Sequence, residues 1–524
     1  MPKTGNEFKI FITTVIIFSF FIQWVWWASN TNLDLTRAIV NENSLIIDTY
    51  ANNTGDRSLY VGHYYSDKLP GLSFLALPPY FICELTHHAL PLMDTWQAYG
   101  YTSHTVNDVE LINEVSPGAV LSISQILVTV LTSPVFSALG CVVLYKLLQD
   151  FTKNRKAVLL VVVAYAIATP IISYSTVFYY HAVQTFMLLL SFYLGHKWLK
   201  TQDSKLLLAS GLVAGLSLSF SVTSLVAGSF ALYFFAKSRN PKTLYMFALG
   251  VILGALPLAV YDQSIFGNIA EFTYYHMDPA IWPNLVGGTH GFVFPPSPYI
   301  TLRLLVDPYR GMMFYSPVLA LSFIGLFFML KSHKAEALLV LMIFLSLLAI
   351  NSLWWAWEGG TAFGARHLLP AVPFLMIPLV FAFEKITPRI TNPLLAASVF
   401  FMIIGLGPWE WIGQPYTVML PADVTLKART TLDMLANPLK DHYFPLFMQS
   451  GPRSLIAESL FSGKLDIRQE AMSEAANAHP FVTVLPLLAA LAIIWKDSLK
   501  ELPRLLKENP EIFIVPLLLA VLLG

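Results

Sequence analysis

Four short stretches of this chain gather residue types that can move a proton or hold an anion. The first, Asn32-Leu-Asp34-Leu-Thr-Arg37, sets a carboxylate three positions before a guanidinium, hence on one face if the stretch is helical. The second, Tyr64-Tyr65-Ser66-Asp67-Lys68-Leu69-Pro70-Gly71, crowds two phenols, an acid and an ammonium together. The third is Asp307-Pro-Tyr-Arg310-Gly311, and the fourth is Trp357-Glu358-Gly359-Gly360-Thr-Ala-Phe-Gly364-Ala-Arg366-His367. A carboxylate can take the proton of a hydroxyl. An arginine fork can donate two parallel hydrogen bonds to a phosphate. Each residue also has a plainer reading. Asp34 could be a solvated acid paired with Arg37, an exposed pair worth about 0–1 kcal/mol. Arg366 could be an anchor reaching toward lipid headgroups, and Lys68 could pair with a nearby acid or with headgroups. Spacing alone leaves both sets open. His276-Met-Asp278 offers two ligands for a divalent metal ion, with His63 and His290 as further histidines, although an isolated His-x-Asp is more often structural. No cofactor is otherwise implied.

The elements that must position these residues are set by composition. Of 524 residues, 56% are hydrophobic and 12% charged, about half the charged share of a soluble globular protein. Most of the chain must face lipid or other apolar helices. Net charge is zero, so no global field recruits nucleic acid. The two cysteines, Cys83 and Cys141, imply neither a disulfide framework nor a thiolate metal site.

A hydrocarbon core takes about 20 apolar residues as helix. Candidate spans run over 9–28, 119–146, 157–176, 178–195, 206–220, 221–236, 243–261, 312–331, 335–353, 367–384, 393–410, 479–496 and 510–524. The expected fold is therefore all-α, with about 12–13 transmembrane spans. Residues 9–28 end in aromatics without a small-x-small cleavage site, so a retained anchor is expected. The short connections are basic: Lys146 to Lys156, Lys197 to Lys205, Lys237 to Lys242, Lys331 to Lys334, Lys385 to Arg389 and Lys496 to Lys507. The positive-inside rule puts these, and the N-terminus, in the cytoplasm of a multi-pass plasma (inner) membrane protein. The long connections 29–118, 262–311 and 411–478 then lie outside, and the helix-like stretch 72–91 fits an interfacial element in the first of them. All four motifs fall on that outer side. Trp354, Trp355 and Trp357, like Trp24, Trp26 and Trp27, fit an interfacial aromatic belt better than a sugar-stacking platform. Asn52-Asn53-Thr54 matches a glycosylation acceptor pattern of low specificity.

The order of these motifs resembles the C-type superfamily of polytopic membrane glycosyltransferases (GT-C), which includes protein O-mannosyltransferases and the bacterial lipid A aminoarabinose transferases. Members carry a catalytic acid in the first outer loop, followed by a Tyr-rich, Lys-Pro-containing stretch. Asp34 matches the acid, and Tyr64 to Gly71 is similar to the second element. The Asp307–Pro317 and Trp357–Pro370 stretches are similar to motifs of prokaryotic relatives. The resemblance covers a module over 1–410; the loop 411–478 and the C-terminal helices 479–524 lie beyond it. Asp34 is followed by Leu35 rather than Glu, a departure from the protein mannosyltransferases that favours a glycan or lipid acceptor over a protein.

The resemblance implies a polyprenyl-phosphate-linked sugar donor. Its phosphate leaves without needing a proton, so one carboxylate base suffices, and direct displacement inverts the anomeric centre. Asp34 would be that base. Arg366 is the first choice for the donor phosphate, with Lys68 and Arg310 next; Arg37, Tyr64, Tyr65 and Glu358 are candidate substrate contacts. The rival readings are a transporter or lipid flippase, and a surface-glycan polymerase or ligase. A transporter usually shows ionisable residues at the bilayer midplane and internal repeats. Mid-span charges are nearly absent here and the two halves do not look alike.

Overall fold

The computed structural model describes residues 5–24, 26–87, 101–106, 109–115, 123–282, 292, 295–354, 356–360, 362–406, 437–452, 454, 456, 484–496, 507 and 509–523. Most of the expected third long loop, together with Trp355 and His290, lies outside the described residues.

The chain is an all-α polytopic membrane protein. Helices α1 (Asn6–Phe20) and α2 (Trp26–Glu42) lead into a hairpin of β1 (Arg57–Tyr60) and β2 (His63–Ser66), then α3 (Gly71–His87) and a second hairpin, β3 (Tyr101–Val106) with β4 (Val109–Val115). There follow α4 (Ile123–Leu131), α5 (Ser133–Leu148), α6 (Arg155–Ile167), α7 (Ile171–Ser175), α8 (Tyr180–Thr201), α9 (Ser204–Leu218), α10 (Gly228–Ser238) and α11 (Pro241–Phe266). After the second long loop come α12 (Pro298–Val306), α13 (Met312–Tyr315), α14 (Ala320–Ser332), α15 (Lys334–Leu353), α16 (Val372–Lys385) and α17 (Pro388–Ile404). Further helical segments cover Leu485–Ile494 and Glu511–Leu523. Among the described residues, four stretches are long and apolar enough to cross a membrane: Ile123–Leu148, Pro241–Phe266, Lys334–Leu353 and Arg366–Lys385. Shorter apolar helices include Ser204–Leu218, Val222–Ser238, Pro317–Ser332 and Pro388–Ile404, so the expected division of 206–236 into two segments is observed.

Three expected spans need correcting. The span 157–176 breaks between Ile167 and Ile171 and 312–331 between Tyr315 and Pro317, each next to a proline, which has no N–H for the helix ladder. The span 9–28 breaks as well. Residues 9–28 do not form a single helix: α1 stops at Phe20 and α2 starts at Trp26. The interruption is tertiary. The Gln23 N–H donates to Thr176 O at 2.7 Å, and its side-chain amide donates to Leu406 O at 3.1 Å. These lateral bonds replace the i→i−4 bonds of a continuing helix, which apolarity alone would have favoured.

Lipid tails are as apolar as leucine, so helices in a bilayer associate chiefly through close packing. Helices α9 and α11 pack with their backbones in close approach. A Cβ on Gly211 would lie 2.1 Å from Phe247 O, and one on Gly254 would lie 2.1 Å from Leu212 O. Gly215 and Gly250 complete two small-xxx-small faces that bring the backbones into contact. The main core runs through α5, α6, α8, α10, α15 and α16, with Leu144, Val161, Leu189, Phe230, Val340 and Phe374 buried in it. A second cluster joins the first long loop to α8 through Trp24, Leu33, Leu72, Phe178 and Phe220.

Candidate active site

Helix α2 is polar in sequence yet buried on most faces: Thr31, Asn32, Asp34 and Thr36 are inaccessible. Such burial is tolerable only where the polar groups find partners. Ser29 Oγ donates to Phe178 O at 2.9 Å, Thr31 Oγ1 to Ser66 Oγ at 3.0 Å, and Thr36 Oγ1 to Asn32 O and Ser73 O. The helix thus passes between the turn before α8 and the β2–α3 junction. Asp34 lies three residues beyond the contact with Ser66.

Asp34 Oδ1 accepts from Arg37 Nη1 at 3.2 Å and from Asn53 Nδ2 at 3.3 Å. The same-face pairing expected from the i,i+3 spacing is present. Oδ2 is buried without a hydrogen-bond partner. Burial pushes this carboxyl up to about 7, against the pull of Arg37 and Asn53. A carboxyl poised near neutrality with one oxygen unused has the chemistry of a general base.

Lys68 Nζ lies 2.7 Å from Asp67 Oδ2 and 2.9 Å from Asp56 Oδ2. Burial opposes its charge, but the two carboxylates outweigh that and hold the ammonium well above the usual lysine range. Asp67 is fully buried, and burial raises its carboxyl although Lys68 opposes the shift. Lys68 is therefore an already compensated cation.

Arg366 is different. It follows a turn in which Gly359, Gly360 and Gly364 take φ of +75°, +59° and +66°, a region that favours glycine. A Cβ on Gly359 would meet Arg366 Nε at 2.7 Å, so the turn also admits the guanidinium. Nε is buried without a partner, and Cζ stands 5.1 Å over the Tyr179 ring. Of the three candidate phosphate cations, Arg366 alone has no side-chain hydrogen bond or ion pair among the described residues. Both Lys68 and Arg366 lie within electrostatic reach of Tyr179. The two cations thus lie near the start of α8. His181 and His367 pack beside them with ring centroids 5.6 Å apart, each with a buried Nε2 lacking a partner.

Arg310 does not join this cluster. It is fully buried and donates to the carbonyls of Glu358, Tyr309 and Gly360 at 2.8–3.0 Å. It holds the turn that carries Arg366, and Glu358 contributes to that arrangement through its main chain. Tyr64 lies under Arg57 at 4.3 Å, and Tyr65 is buried beside the Asp67 segment. His276 and Asp278 point to different partners: His276 Nε2 to Glu271 at 2.8 Å, and Asp278 Oδ2 to Arg57 Nε at 2.8 Å. Among the described residues no group of three or more metal-ligating side chains gathers. Thr54 is buried and donates to Trp27 O, which ties the glycosylation-like triplet into the fold.

Sequence reasoning gave no role at the site to Asp56, Asp67, Tyr179, His181, Asn53 or Arg57. For Asp67 a signal existed, an acid directly before Lys68. The others are brought in from distant segments, with no local spacing to mark them.

No family model matches this chain, and no curated protein sequence does. Several solved structures align with it, two of them from one organism. ArnT from Cupriavidus metallidurans in the apo state gives a TM-score of 0.46 at 11% identity, over 76% of this chain and 67% of that one. ArnT from the same organism bound to undecaprenyl phosphate gives 0.47 at 10% identity, over 78% of this chain and 69% of that one.

Proposed function

We propose that this chain is a glycosyltransferase working at the extracytoplasmic face of the plasma (inner) membrane. It would move a sugar from a polyprenyl-phosphate donor to a hydroxyl of a glycan, lipid or protein acceptor. Asp34 carries the reading: it is buried, poised near neutrality, and has one oxygen without a partner. The acceptor hydroxyl gives its proton to Asp34 Oδ2 as its oxygen attacks the anomeric carbon. The bond from that carbon to the phosphate oxygen breaks, the electron pair leaves with the phosphate, and the anomeric centre inverts. The leaving anion is met by Arg366, which has no ion pair among the described residues and lies over the Tyr179 ring, with Lys68 within electrostatic reach of the same tyrosine. Because Asp56 and Asp67 already balance Lys68, the arginine takes the larger share. His181 and His367 offer further donors at that end.

The test is transfer from a synthetic polyprenyl-phosphate hexose by purified protein and by Asp34→Asn. A lone general base contributes about 10²–10⁴ in rate, so the variant should lose turnover to that extent while still binding the donor. Transfer at the native rate would remove Asp34 from the mechanism. Since the base must be ionised, the native rate should rise with pH through about 7.

A further inference from the structure

We infer that Asn53 is a positioning residue for Asp34, held in place by the second long loop through the Arg57–Asp278 ion pair. The inference rests on the reading of Asp34 as the base. The geometry forms one continuous chain. Asp278, from the loop after α11, pairs with Arg57 Nε at 2.8 Å, and its backbone N–H donates to Arg57 O at 3.0 Å. Both side chains are almost wholly buried. Arg57 turns its other nitrogen back onto the segment Asp48–Asn53, with Nη1 donating to Ala51 O at 2.6 Å and to Asn52 Oδ1 at 3.4 Å. The last residue of that segment is Asn53. Its own carbonyl accepts from Asn30 Nδ2 at 2.8 Å, one turn before Asp34 on α2, and its amide reaches Asp34 Oδ1.

Two contacts sew the loops together nearby: Ser58 Oγ donates to Thr273 O at 2.7 Å, and Trp282 Nε1 to Gly55 O at 3.0 Å. The amide of Asn53 therefore does two things. It fixes the plane of the carboxyl so that Oδ2 is the oxygen left for a proton, and it favours the ionised form. A loop far along the chain thereby controls the base without touching it.

The charged and titratable groups on elements packed against α2 are Arg37 and Glu42 on the helix, and Asp48 and Tyr50 in the segment Asp48–Asn53 that follows it. To these add His63, Tyr64 and Tyr65 on β2, Tyr80, Cys83, Glu84 and His87 on α3, and Glu110 and Glu114 in the sequence of β4. The variants below change none of them, so their influence is common to every titration.

The experiment follows the protonated-carboxyl band of Asp34 by infrared difference spectroscopy of the full chain in nanodiscs, with Asp34→Asn identifying the band. Asn53→Ala should move its midpoint to higher pH by about one unit, the size expected for one lost hydrogen bond to a charged group. The charge-neutral double variant Arg57→Met/Asp278→Leu, an exchange that buried ion pairs often tolerate, should shift it the same way. Combining it with Asn53→Ala should add nothing. An unshifted midpoint in Asn53→Ala overturns the inference, and so do additive shifts in the combination. A merely structural role would change thermal stability without moving the midpoint. If Asp34→Asn still transferred sugar, the base reading would fail on its own, whatever the spectra showed.

Discussion

Asp34→Asn should produce a protein that is inactive yet more stable than the native chain, with a margin that widens as pH rises. Burial lifts this carboxyl from 3.8 to about 7. Between those values the folded chain keeps a proton that the unfolded chain has released. Stability therefore falls as pH rises through that window, at about 1.4 kcal/mol per pH unit. A gap of roughly three units amounts to about 4 kcal/mol by neutral pH. Asparagine has the same shape and no charge to desolvate, so the variant escapes this cost. Its amide nitrogen stands where Oδ2 had no partner, and the weaker pairing with Arg37 costs something further, but neither penalty depends on pH. The diagnostic quantity is therefore the slope: from pH 6 to pH 8 the margin should grow by about 1.4 kcal/mol. That corresponds to a widening of about 3–6 °C in Tm by the scaling for 150–250-residue proteins, and less in a longer chain. Thermal unfolding of both proteins at pH 6, 7 and 8, alongside the transfer assay, provides the comparison. A margin that stays constant or shrinks with pH would refute the idea that burial poises Asp34 near neutrality.

Other outcomes follow from the same geometry. Arg366→Lys keeps the charge but loses the planar fork, so affinity for polyprenyl phosphate in a flotation or scintillation assay should fall by about tenfold or more. An unchanged affinity would move the phosphate elsewhere. Gly254→Val drives a side chain into Leu212 O, where even a Cβ would stand 2.1 Å away. It should destabilise α9 against α11 by about 3 kcal/mol, seen as loss of the monodisperse fraction on size exclusion. Val61→Cys, at an 80% exposed hairpin tip, should react with a membrane-impermeant maleimide from outside intact cells. The native cysteines are both buried and give little background; labelling only after lysis would invert the topology.

Much of the site was visible in local pattern. The i,i+3 spacing of Asp34 and Arg37 needs only a helix to bring them together, and α2 supplies it. The glycines before Arg366 announced a turn with close backbone approach, and three of them take left-handed φ. Lys68 showed the reverse: its spacing left its partners open, and only the fold brings Asp56 beside it together with Asp67. Arg310 looked like a phosphate ligand because an arginine beside a glycine at a span's mouth has that appearance. Its partners are main-chain carbonyls about 50 residues away, and no motif records where a carbonyl will sit.

By itself, then, the sequence determined the solvent and the class. A chain with so few charges and such long apolar runs must satisfy its backbone as helices within a bilayer, and its basic short connections and long polar ones divide it into two sides. Tertiary structure decided which charges remain available. The break after α1, the diversion of His276 and Asp278 to Glu271 and Arg57, and the delivery of Asn53 to Asp34 all depend on packing between segments distant in sequence. Residue type and spacing specify what a side chain can do; only the fold settles which partner reaches it first.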